Sequence, residues 1–223
     1  MEFYKNKHKR LLYGVAHNDV DSPICFRVDG KKIIEPVYKM WTRVLERTLS
    51  ETFKNKHPTY RECTIAEEWL KFSSFKKWME TQYWSGLELD KDILIPGNKQ
   101  YGPDTCVFIP RYINACLKVK RKTSDLPLGV TKVTKIPKDM VNLPSNPYVA
   151  QVQTRQFKKV HKRFDNAEDA HKFWQQNKVE FYFNLLEKYS SEDYALISVQ
   201  DAILFRANLI KEDILHGRET ISI

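Results

Sequence analysis

The chain of 223 residues has four cysteines, Cys25, Cys63, Cys106 and Cys116, and no C-x-x-C pair among them. Structural zinc sites draw thiolates from such closely spaced pairs, so a zinc knuckle is excluded. No apolar run approaches the roughly 20 residues that a membrane span requires. The charged N-terminus, with no apolar stretch behind it, lacks the signal-peptide pattern. The expectation is a protein with reduced thiols in a cytoplasm. Internal repeats and low-complexity tracts are also missing, which excludes solenoids and disordered repeats.

Acidic residues are scarce in one region. From Lys118 to Arg163 twelve lysines and arginines stand against two acids, Asp125 and Asp139. The whole chain carries a net charge of +9. Neutralising phosphates with lysine and arginine drives nucleic-acid binding, so this excess points to a polyanion partner. A basic protein without such a partner is the plain alternative. Hydrophobic content of 42% and aromatic content of 13% fit a globular protein. At this length two modules are expected.

In chain order, Met1 to Arg10 reads as a basic arm. Asn18-Asp19-Val20-Asp21 reads as an Asx turn, with a metal loop as the alternative. Asp29-Gly30 marks a hairpin turn between Val28 and Lys32. Tyr38, Trp41, Val44, Leu45, Leu49 and Phe53 recur at three- and four-residue steps and predict an amphipathic helix over 38–53. Trp69, Phe72, Phe75, Trp78 and Met79 keep helical spacing, and the stripe reads as core rather than as a base-stacking platform.

The segment Trp84 to Leu117 carries the candidate chemistry. A short strand bearing Leu87 and Leu89 leads into Asp90, Lys91 and Asp92. A Pro96-Gly97-Asn98 turn and a Tyr101-Gly102-Pro103-Asp104 corner follow. An apolar strand from Cys106 to Ile109 then runs to Pro110 and a helix bearing Asn114. An acid at the exit of one strand and an amide on the following helix make a compact ββα metal-site layout.

This stretch resembles the ββα-metal (His-Me finger) core of phage HNH homing-endonuclease-like proteins. The resemblance implies a single divalent ion, Mg²⁺ or similar and not zinc, held by Asp90 and Asn114. It places Thr105 where the family has its middle Asn. The family's general-base His is replaced by Lys91, and an alkylammonium, protonated near neutral pH, is a poor proton acceptor. Asp92 is the substitute base, or Lys91 acts electrostatically on the developing charge. The catalytic set is therefore Asp90, Lys91, Asp92 and Asn114.

Lys118 to Asp125 reads as a basic linker. Leu128-Gly129-Val130, Tyr148 to Gln153 and Lys158 to Phe164 alternate like three antiparallel strands. Asp165 with Glu168 reads as the capping box of a helix whose apolar face holds Ala167, Ala170, Phe173 and Trp174. This unit resembles the Apetala-two type DNA-binding domain, with a long 133–146 insertion and Lys162 where a Gly is usual. The resemblance implies a sheet laid in the major groove. Lys132, Gln151, Gln153, Arg155, Lys159, His161 and Arg163 would then face DNA, with Lys118, Lys120, Arg121 and Lys122 along the backbone.

The expected fold is α+β: a helical scaffold with an HNH-like core over 1–117, a linker over 118–125, the sheet-and-helix unit over 126–178, and two C-terminal helices over 179–223. The expected function is metal-dependent hydrolysis of duplex DNA, of homing or mobile-element type, in the cytoplasm of a phage-infected bacterium. The alternative is a nuclease relative that no longer cuts and acts as a sequence-specific repressor or interference factor. A third reading makes the basic sheet an RNA-binding or protein-binding surface.

Overall fold

The computed structural model describes residues 2–3, 11–118, 122, 124–136, 141–153 and 159–223, with backbone alone at Glu2, Phe3, Gln153 and Lys159. Most of the basic N-terminal arm therefore lies outside the described residues, as do Lys120, Arg121 and Arg155. The chain is mixed α+β, with six α-helices and several small sheets among the described residues, and it divides into two units, 1–114 and 115–223.

In the first unit, β1 (Glu2–Phe3), β2 (Cys25–Val28) and β3 (Lys31–Ile34) form an antiparallel sheet. The β2–β3 turn has both central residues at positive φ, Asp29 at 50° and Gly30 at 74°. That is the primed two-residue turn whose twist matches a hairpin. The expected 38–53 helix is two helices, α1 (Pro36–Leu49) and α2 (Glu51–Lys56). The break falls at Ser50, whose hydroxyl takes the Phe53 amide and restarts the chain as an N-cap. Two further short pieces, β4 (Thr64–Ile65) and α3 (Phe72–Glu80), complete the scaffold.

The aromatic stripe is core. Trp41, Trp69, Phe72, Phe75 and Met79 are fully buried, and Trp78 stacks on Phe108 at 5.6 Å. The Trp41 indole donates to the Trp69 carbonyl at 2.7 Å, so the ring that fills the core is also satisfied. Asn18 accepts from the Val20 amide, and the Asp19 carboxylate takes the Ser73 amide and hydroxyl at the start of α3. Of the two readings of that loop, the turn is the one these bonds describe. The remainder of the unit is β5 (Glu88–Asp90), β6 (Gln100–Tyr101), β7 (Val107–Ile109) and α4 (Arg111–Cys116), whose last two residues belong to the second unit.

The second unit holds the antiparallel sheet β8 (Val130–Lys132), β9 (Tyr148–Gln153) and β10 (Lys159–Phe164), in the order β10-β9-β8. A long helix, α5 (Ala167–Ser190), packs across it and pairs with α6 (Ile197–Leu215). Two expectations are corrected here. The N-cap is Asn166, which accepts from the Asp169 amide and donates back to its carboxylate, not Asp165 with Glu168. The helix continues unbroken through 178, so the first of the two separate C-terminal helices is its second half. Gly129, at φ +81°, lies against the Trp174 indole, which occupies the space a Cβ would need.

Candidate functional site

β5 and β7 pair antiparallel, with Glu88 opposite Ile109 and Asp90 opposite Val107. Side chains alternate along a strand, so Glu88 and Asp90 share a face while Leu89 turns into the core. Past Pro110, the first turn of α4 brings Asn114 back to β5. Its carboxamide nitrogen donates to the Glu88 carboxylate at 2.8 Å, and its own carboxamide oxygen receives no hydrogen bond from a described residue. Asn114 therefore sits beside Glu88, one strand repeat from Asp90. Glu88 did not figure among the expected site residues. The two-residue spacing from Asp90 is the signal that could have found it.

One Asp90 oxygen accepts from the Asp92 and Ile93 amides at 2.9 and 2.8 Å, an Asx turn that fixes the carboxyl at the strand exit. Burial first, and then the Asp92 charge, push the Asp90 carboxyl up to about 6 against the pull of those two amides. A carboxyl that resists ionisation without a counter-charge is one that a cation would stabilise. The described residues contain no group of three or more His, Cys, Asp or Glu side chains able to hold a metal.

Lys91 is buried, 8% exposed. Its ammonium donates to the Asn98 carbonyl and to Asp92, both at 3.0 Å. Asn98 answers by donating to the Lys91 and Gln100 carbonyls at 2.6 and 2.7 Å and accepting the Gln100 amide at 3.1 Å. Lys91 and Asn98 thus clamp the two ends of the loop between β5 and β6. The Thr105 hydroxyl, at the position of the family's middle Asn, donates to the Gln100 carbonyl at 2.8 Å. Burial pushes the nearby Cys106 thiol up to about 12, which leaves it inert as a nucleophile.

In the second unit the register sorts the expected DNA-facing residues. Val130, Ala150 and Val152 are buried toward α5. Directly opposed residues share a face, so Thr131, Val149, Gln151, His161 and Arg163 lie on the outer one, with Gln153 and Lys159 in register there. Gln151 and His161 are exposed, and Arg163 is half-buried. Lys132 belongs to the other face: it pairs with Tyr148, and its ammonium sits 5.2 Å from that ring's centre. Lys162 also points to the helix side, its ammonium beside the Phe164 and Phe173 rings. In the linker, Lys118 is exposed, whereas Lys122 pairs with Glu219 at 3.0 Å and its amide donates to the Ile221 carbonyl.

No protein-family model, curated protein or solved structure matches this chain. Among the described residues no helix is long and apolar enough to cross a membrane.

Proposed function

We propose that the chain is a metal-dependent endonuclease of the ββα type that engages duplex DNA through the outer face of its three-stranded sheet. The observation that carries this reading is the Asn114–Glu88 hydrogen bond. It brings α4 onto the strand that ends in Asp90 and leaves the carboxamide oxygen, the atom a cation takes, without a donor among the described residues. The Asp90 oxygen not taken by the loop amides and the Asn114 carboxamide oxygen would hold Mg²⁺ or another hard cation, with water in the remaining positions. Such an ion, when bound, supplies positive charge to the scissile phosphate and the leaving oxygen. Glu88 orients Asn114, and the Lys91–Asn98 clamp fixes the loop that carries Asp90 and Asp92. Gln151, His161 and Arg163 offer hydrogen-bonding and cationic groups to base edges and phosphates. Nicking of supercoiled plasmid with Mg²⁺ or Mn²⁺, abolished in Asp90→Ala, is the expected result. Plasmid left intact under every metal, alongside tight duplex binding, would overturn cleavage.

A second reading is favoured by one observation: the Lys91 ammonium is spent inside its loop and Asp92 is its ion-pair partner. With both engaged, the loop has no evident general base, and the chain would be a nuclease relative that binds a DNA sequence without cutting it. Lys91→His separates the two. Cleavage gained by Lys91→His and not by Lys91→Met means that a base alone is missing.

A further inference from the structure

We infer that Arg47 binds a phosphate of the nucleic-acid strand that reaches Asp90, a substrate contact supplied by the helical scaffold rather than by the loop or α4. The identity of the strand rests on the nuclease reading above; the anion site rests on what surrounds Arg47. The buried face of α1 holds Trp41, Val44, Leu45 and Thr48, and Arg47 borders that stripe, half-buried. From there its guanidinium meets two tyrosines that the chain brings in separately. It lies 5.5 Å from the centre of the Tyr60 ring, which ends the 3₁₀ turn Pro58–Tyr60. Through Nη1 it donates to the Tyr101 hydroxyl on β6 at 3.4 Å.

The charge placed there is not spent. Two other screened cations of the unit each have a carboxylate: Lys76 pairs with Glu35 at 3.3 Å and Lys91 with Asp92 at 3.0 Å. Arg47 forms no ion pair with a described residue. Its Tyr101 partner is neutral, because burial raises the phenol's pKa. Burial alone would lower the Arg47 pKa, but Tyr101, Tyr60 and Asp90 outweigh it, so the Asp90 carboxyl acts on the guanidinium without pairing with it. Asp90 is itself pushed up, by burial and then by Asp92, so the two groups do not neutralise each other.

The shape of the group sets the ligand. A guanidinium is a planar fork of five N–H donors that matches two phosphate oxygens at once. Here Nη1 is engaged with Tyr101, while Nε and Nη2 make no hydrogen bond with a described residue and are not sealed from solvent. The fork is therefore held on one side by the tyrosines and open to a ligand on the other. Less rotamer freedom is lost when an anion meets a fork already oriented. Lys91 lies 5.8 Å from the centre of the same Tyr101 ring, but Asn98 and Asp92 hold its ammonium. Of the two cations flanking Tyr101, Arg47 is the one an arriving phosphodiester can use.

The test uses the full chain without divalent ions, so that no cleavage is needed. Thymidylyl-(3′→5′)-thymidine, inorganic phosphate and acetate are the probes, followed through the Arg47 Nε–H resonance and, in variants, the Tyr101 amide. A saturable shift with the dinucleotide is expected, with affinity lower by about tenfold or more in Arg47→Met. Arg47→Lys keeps the charge without the fork and should lose affinity too. Arg43→Met, one turn earlier on the exposed face of α1, controls for charge alone and should change little. Inorganic phosphate binding more tightly than the dinucleotide would overturn the strand and leave a site for the free ion. Equal binding of acetate, or equal losses in Arg43→Met and Arg47→Met, would overturn the phosphate site. An unmoved Trp41 indole N–H resonance reports that the core of each variant is formed, so a lost affinity is not a lost fold. The two readings fail separately: nicking that survives Asp90→Ala removes the metal site, whereas unchanged dinucleotide affinity in Arg47→Met removes this one alone.

Discussion

Gly129 and Trp174 are in direct contact, backbone against indole, at the point where the first strand of the sheet begins. Two costs meet there: φ of +81°, which an L side chain rarely adopts, and a ring where a methyl group would go. Gly129→Ala is expected to destabilise by about 1–3 kcal/mol from overpacking alone, before backbone strain. Gly86 is the control. Its φ is +75° and nothing lies within contact of a Cβ, so Gly86→Ala should cost only the strain, about 1–2 kcal/mol. Urea unfolding of both variants checks the difference.

Glu88 is expected to act on metal affinity through Asn114. Removing the partner that orients a ligand typically weakens binding by about 10–100-fold. Glu88→Ala should therefore bind Mn²⁺ more weakly than the parent while retaining its secondary structure. Calorimetry with Mn²⁺ reads this, and an unchanged affinity would mean that Asn114 holds its position unaided.

The Asp90 carboxyl gives that affinity a pH dependence. Its pKa is raised to about 6, so proton and cation compete for the same oxygen. Mn²⁺ affinity should rise as pH climbs through about 6 and flatten above it. Without metal the linkage has the opposite sense for folding. The native state holds the proton more tightly than the unfolded chain, so this group's contribution is complete below the ordinary carboxylate range and is lost as pH rises through 6.

His171 is held in one neutral tautomer, and burial depresses its pKa, with the Leu128 carbonyl, Glu219 and Asp213 pulling back and Lys122 adding to the depression. A proton on Nε2 would face the Thr220 amide, donor against donor. The unfolded chain binds that proton more readily, so stability is complete above the ordinary imidazole range and falls as pH drops below about 6.5 toward the lower folded value. Hydrogen exchange at Thr220 should quicken over that window, and His171→Phe should remove the pH dependence.

Lys91 tests the clamp. Lys91→Met keeps the stem and deletes the bonds to Asn98 and Asp92. Hydrogen bonds to charged groups contribute about 1.5–3 kcal/mol each, less where a carboxylate is partly exposed, as Asp92 is. Loss of stability with loss of protection at Gln100 is the expected outcome.

Features with local causes were legible in the sequence. The Asp29-Gly30 turn follows from which residues tolerate positive φ, and the Trp69–Met79 stripe from helical period and volume. Strand parity was partly legible: Gln151, His161 and Arg163 fall on the face their alternation predicts. Lys132 does not, because it lies two residues after the buried Val130 and shares its face. The break at Ser50 was hidden because the apolar period runs through it while a side-chain cap overrides it. The Lys91–Asn98 clamp was illegible for a different reason: it depends on how a loop returns to its own strand, which spacing along the chain does not encode.

The uninterrupted run of α5 has a practical consequence for dissection. A fragment ending at Lys178 would sever the helix at its middle. It would also remove the buried Phe181, Tyr182, Leu185 and Tyr189 together with α6, the helix that packs against α5. The sheet therefore has no natural right-hand boundary short of the second helix. Expression trials that stop there should give insoluble or protease-sensitive product, while those carried through α6 should melt in a single cooperative step.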